Sequence, residues 1–166
     1  MTIASTAAPV LWTNEVTGIQ LSDSPWERLQ RLAAREIEPP PVARLIGLDL
    51  VSAGAGAVTM ALEVGPQHAN PMGTVHGGIL CDLADAAMGM AYASTLGAGE
   101  SFTTLELKIN FLRPVWNGRL IAEGKYVSGG SSVGLTECDI KDERGRLVAH
   151  ATSTCMTLRG QKAAGR

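Results

Sequence analysis

Residues 76 to 96, HGGILCDLADAAMGMAYASTL, form a proline-free and almost wholly apolar run. Alanine, leucine and methionine are good helix formers, so the run predicts one long helix opened by Gly77-Gly78. A helix that is apolar on nearly every side must be buried. Gly78, Ala84, Ala86, Ala87, Gly89, Ala91 and Ala93 would let neighbours pack closely on more than one face. Asp82 and Asp85 interrupt it. An unpartnered carboxylate in a core costs several kcal/mol, so at least one of the two needs a partner or a task.

The two aspartates keep the run below the roughly 18 uninterrupted apolar residues of a membrane span. A net charge of −2 and a pI near 5.9 give no electrostatic case for nucleic acid or an anionic membrane as partner. The first residues lack the basic stretch and apolar core of a signal peptide. Cys81, Cys138 and Cys155 are odd in number and widely spaced, which reads as reduced thiols and a cytoplasmic protein.

With 166 residues the chain suits one main domain, residues 41–160, after an extension over 1–40 that carries a short helix. Residues 1 to about 22 lack period and are expected to be poorly ordered or draped over the surface. Ser24-Pro25 starts the short helix, with Trp26, Leu29, Leu32 and Ala33 on its apolar face, and Pro39-Pro40-Pro41 follows it. A turn with Val42 and Leu45 leads to a strand over 48–51, a turn at 53–56 and a strand over 58–64. Beyond the long helix, Thr103 to Leu112 alternates. Leu105, Leu107, Ile109 and Phe111 fall on one face, and Thr104, Glu106, Lys108 and Asn110 on the other. Three further turn-linked strands cover 119–127, 133–141 and 146–158, before a solvated tail. Tight turns imply an antiparallel sheet, and one buried helix must lie on its apolar face, an α+β fold.

Asn70-x-x-Gly73-Thr-Val-His76-Gly77-Gly78, then Leu83-Ala84-Asp85, then Ile109-Asn110-Phe111-Leu112-Arg113-Pro114 resemble the hotdog-fold acyl-CoA thioesterases of the phenylacetate-degradation (PaaI-like) family. The likeness spans roughly residues 43–158, and the helix-start motif with its spaced aspartate is its more specific part. It implies a curved antiparallel sheet wrapped around the central helix, and paired subunits with the site at their interface. A homotetramer is the expected assembly, and hydrolysis of an aryl- or medium-chain acyl-CoA to acid and CoA the expected activity. No cofactor is implied beyond the coenzyme A of the substrate. Residue by residue, Gly77 would present its N–H to the thioester carbonyl and Asn70 would position that carbonyl or the water. Asp85 would be base or nucleophile, and Thr104 would help orient the water. His76, Gly78 and Met88 would line the substrate.

Elementary geometry bears on that assignment. A helix start offers free N–H groups and a positive dipole end to a developing oxyanion. Gly77-Gly78 equally allows close packing of the helix start on a strand. Asp85 lies eight positions beyond Gly77, about 12 Å along a helix. One aspartate cannot span that gap, so a shared site requires Gly77 from one chain and Asp85 from another, as in a two-fold dimer. Asp82, about 60° around the helix, is expected to face solvent. His68 and His76 lack metal-ligand spacing, so no metal is expected, and no Gly-x-Ser-x-Gly elbow supplies a serine nucleophile. Two alternatives stay open: a hotdog enoyl-CoA hydratase or dehydratase, and a non-catalytic acyl-CoA binding module.

Overall fold

The computed structural model describes residues 23–163, so the expectation for residues 1 to about 22 lies outside the described residues. Helix α1 (Pro25–Ala33) begins as the sequence predicts. Ser24 Oγ accepts the Glu27 N–H (3.2 Å), and the Glu27 carboxylate accepts the Ser24 N–H (2.7 Å), a reciprocal cap. What the sequence reads as a turn carrying Val42 and Leu45 is a short helix, α2 (Pro41–Ile46), because proline at its first position is pre-set for helix. It stops at Gly47, whose φ of 86° favours glycine.

Strands β1 (Leu48–Gly54) and β2 (Ala57–Val64) form a hairpin, and a loop leads to the long helix α3 (Gly77–Ala93). Strands β3 (Glu100–Phe111), β4 (Gly118–Gly129), β5 (Val133–Asp142) and β6 (Leu147–Arg159) complete one antiparallel sheet in the order β1-β2-β4-β5-β6-β3. This is the hotdog arrangement, with β1 and β3 at the free edges. Helix α3 is shorter than the apolar run that encodes it: Ser94 caps it, and Leu96 lies beyond its end.

The sheet receives α3 along a row whose three central residues are small. Val58, Gly124, Cys138, Ala151 and Ile109 lie side by side across five strands. A Cβ placed on Gly124 would lie 2.3 Å from the Ala87 carbonyl oxygen, so α3 rests its backbone on β4. Leu83, Ala84, Ala87, Met88 and Ala91 are fully or almost fully buried against Met60, Leu62, Leu120 and Ile140. Each large side chain so buried contributes about 1.5–3 kcal/mol. Burial pushes the Cys138 thiol up to about 12, with Asp139 and Glu123 adding to the effect, so it stays a neutral core group.

Two corrections concern the site. Helix α3 is buried on one side only: Asp82 and Asp85 both lie on its exposed side in the single chain, because a single sheet covers a single face. Strand β3 does not alternate uniformly either. Thr104 pairs with Cys155 and Glu106 with Thr154, so Leu105 is an extra, bulged residue. Leu107 and Ile109 then pair with buried Ser153 and Ala151, and Thr104 joins them on the side facing α3. Leu105 is left 53% exposed.

Gly124→Ala should lower stability by at least about 2 kcal/mol, since its methyl group meets backbone rather than a side chain that can turn away. Urea unfolding followed by far-UV circular dichroism reads this, and an unchanged midpoint would disprove the contact.

Candidate functional site

The loop before α3 is built on hydrogen bonds. His68, 3% exposed, accepts the Gly65 N–H at Nδ1 (3.0 Å) and places Nε2 2.8 Å from the Ile46 carbonyl oxygen. A carbonyl can only accept, so the ring carries its proton on Nε2. The His68 carbonyl in turn accepts the His76 N–H (2.8 Å), which holds the start of α3 to this anchor. Asn70 staples the turn above it. Its Oδ1 accepts the N–H groups of Met72 (2.9 Å) and Thr74 (3.2 Å), and its Nδ2 donates to Thr74 Oγ1 (2.9 Å). Gly73, with φ of 80°, makes the reversal possible.

His76 is the N-cap of α3. Its Nδ1 accepts the Gly78 N–H (2.9 Å), and its carbonyl accepts the Ile79 N–H (3.0 Å). Gly77 N–H is the one left without a partner among the described residues at the positive end of the helix. Gly77 also has a packing reason to lack a side chain, because a Cβ there would lie 3.0 Å from the Phe111 ring. Both readings of the glycine therefore hold at once.

Further along the same unbroken helix, Asp85 Oδ1 accepts a hydrogen bond from Thr104 Oγ1 (3.0 Å). The bulge at Leu105 makes that bond possible, since without it Thr104 would point away from α3. The structure thus joins Thr104 to Asp85, and separates both from Gly77 by eight helical positions, about 12 Å. Met88 departs from its expected place on the substrate surface: it is fully buried under the sheet, whereas half-buried Met90 borders a cavity. Gly78 spends its N–H on the cap. Asp82 is exposed, as expected. The Cys81 thiol is pushed up first by burial and then by Asp82 and Asp85, which disfavours its thiolate form. Sequence reasoning missed the part played by His68, because nothing local distinguishes a buried histidine from an exposed one.

No helix of the described residues is long and apolar enough to cross a membrane, and no cluster of three or more His, Cys, Asp and Glu side chains among them could hold a metal ion.

Residues 72–149 match the thioesterase superfamily profile. The chain is 28% identical to human acyl-coenzyme A thioesterase 13 over 114 residues, 67% of this chain and 81% of the human one. The structure of a phenylacetic acid degradation-related protein from Ralstonia eutropha superposes with a TM-score of 0.71 at 32% identity, covering 77% of this chain and 98% of that one. PaaI of E. coli, from the phenylacetic acid degradation operon, superposes with a TM-score of 0.72 at 27% identity, covering 85% and 98%.

His68→Leu should cost at least about 2 kcal/mol, because it leaves the Gly65 N–H and the Ile46 carbonyl without their partner. The same denaturant titration reads it, and a loss well below that would mean that water replaces the imidazole.

Proposed function

The chain belongs to the thioesterase superfamily, and we propose that it hydrolyses an aryl- or medium-chain acyl-CoA at sites shared between two copies of itself. The observation that carries this reading is the pairing of an unpartnered Gly77 N–H with an exposed, Thr104-bound Asp85 on one continuous helix. They are too far apart to act on one carbonyl within a chain, and an antiparallel second helix brings each to the other's partner.

Two surfaces support such pairing. Strand β3 is an edge strand, and Leu105, Phe111 and Leu112, at 53%, 54% and 56% exposure, lie on or beside it. A long apolar edge calls for cover. The open side of α3, carrying Asp82 and Asp85, also lacks a covering layer among the described residues.

In the reaction, the thioester carbonyl lies against the Gly77 N–H of one chain, and Asp85 of the other faces its carbon. As a base, Asp85 takes a proton from water while the water oxygen bonds to the carbonyl carbon. The Gly77 N–H and the helix dipole stabilise the oxyanion. Collapse breaks the C–S bond, and the CoA thiolate leaves and is protonated, giving free acid and CoA. As a nucleophile, Asp85 instead bonds to the acyl carbon, expels the thiolate and leaves a mixed anhydride that water cleaves. Thr104 is a positioning residue in either route, since it fixes one carboxylate oxygen and leaves the other for the chemistry. Asn70 has one amide proton beyond its bond to Thr74, and this reading assigns it to the substrate carbonyl or the water.

Asp85→Asn should lower the rate of thiol release from acyl-CoA esters by at least about 100-fold. Thr104→Val, which removes one hydrogen bond to a charged group, should lower it about tenfold, chiefly in kcat. Rates at the wild-type level in both variants would remove Asp85 from the reaction.

Gly77→Pro deletes the N–H at a helix position that tolerates proline, and Gly77→Ala controls for the added carbon. Subunits carrying Gly77→Pro and subunits carrying Asp85→Asn are each expected to be inactive. Co-expressed, they should recover roughly a quarter of wild-type activity, because each mixed dimer rebuilds one of its two sites. No recovery from purified mixed dimers would place both groups in separate functions.

A further inference from the structure

A cavity of about 230 Å³ lies between α1, α3 and the start of β3, where Ser101 and Phe102 line it. Phe102, two residues before Thr104 and about 7 Å along the strand, forms its near wall, packed against Gly89. Leu29, Leu32, Ile37 and Met90 make most of the remaining lining apolar. Into this lining projects Arg28, and its Nε is buried with no hydrogen-bond partner. No carboxylate among the described residues forms an ion pair with it. Glu38, at the cavity rim, is mostly exposed and leans toward Arg44 at 3.8 Å.

A guanidinium cannot shed its proton to escape this position. A buried N–H left unpaired costs about 1–3 kcal/mol, and more when the group is charged. Such a group is satisfied best by a carboxylate, which takes two parallel N–H bonds from an arginine fork. The cavity therefore combines an apolar wall with a cation at its lining, and its Phe102 wall packs on Gly89, one helical turn beyond Asp85.

We propose that this cavity receives the far end of an acyl group bearing a second carboxylate, so that the preferred substrates are CoA monothioesters of medium-chain dicarboxylic acids. This rests on the thioesterase reading of Asp85 and adds its substrate class. The methylene chain lies along Phe102, Leu32 and Met90, and the terminal carboxylate pairs with Arg28. A methyl-ended chain fills the same apolar wall but leaves the Arg28 Nε unpaired, and the difference between the two is the source of selectivity.

The test compares thiol release from matched esters, hexanoyl- with adipoyl-CoA, octanoyl- with suberoyl-CoA and decanoyl- with sebacoyl-CoA. Wild-type protein should favour the carboxylate-ended member of at least one pair by about tenfold or more in kcat/KM. Arg28→Leu should erase that ratio and Arg28→Lys should keep part of it, with melting temperatures confirming that both variants are folded. A ratio near one in the wild type, or a ratio that Arg28→Leu leaves intact, overturns the assignment. Calorimetric binding of the same pairs to the Asp85→Asn protein separates the two levels of the argument. Absence of thiol release with any ester refutes the hydrolytic reading. Equal affinity for both members of every pair refutes the role of Arg28, whether or not hydrolysis occurs.

Discussion

The contact between the Ala87 carbonyl and Gly124 sets the distance at which α3 lies on the sheet. A side chain at that point would lift the helix and open the layer beneath it. Because the contact is backbone on backbone, it also fixes the rotation of α3 about its axis. Leu83, Ala84, Ala87, Met88 and Ala91 turn into the core, and the side bearing Asp82 and Asp85 turns out. The place of the Asp85 carboxylate thus follows from a packing constraint on the opposite face of the same helix.

Two local devices then refine what that packing leaves. The bulge at Leu105 reverses the facing of Thr104, so that an edge strand otherwise devoted to sheet pairing delivers a hydroxyl to Asp85. At the helix start, His76 takes the Gly78 and Ile79 N–H groups and leaves the Gly77 N–H available. Behind it, His68 and Asn70 hold the loop with hydrogen bonds internal to the chain. A donor kept in place this way needs little reorganisation when charge develops on a carbonyl beside it.

The legible and illegible features differ in their range along the chain. The capping of α1 by Ser24 and Glu27 lies within four residues, and the sequence signals it directly. The order of two strands, a helix and four strands is carried by apolar period and by turn residues, and it stands in the structure. The short helix α2 was hidden because six residues cannot display a period. Thr104 could be named from resemblance, but strict alternation placed it on the wrong face, since a bulge is settled by pairing with β6. Met88 and Met90 look equivalent in the sequence. Burial separates them, one under the sheet and the other at a cavity.

By itself the sequence determined the long helix and the six strands, the membership of the superfamily and the residue types that the proposed reaction would use: a glycine pair at a helix start and an aspartate eight positions on. Those are consequences of local propensity and spacing, which a linear chain carries openly. Tertiary structure alone decided which face of α3 stays open, which way Thr104 points, and that the Arg28 Nε is left without a partner among the described residues beside an apolar cavity. Each of these depends on partners distant in sequence, and their burial and hydrogen bonds exist only once the sheet has closed over the helix.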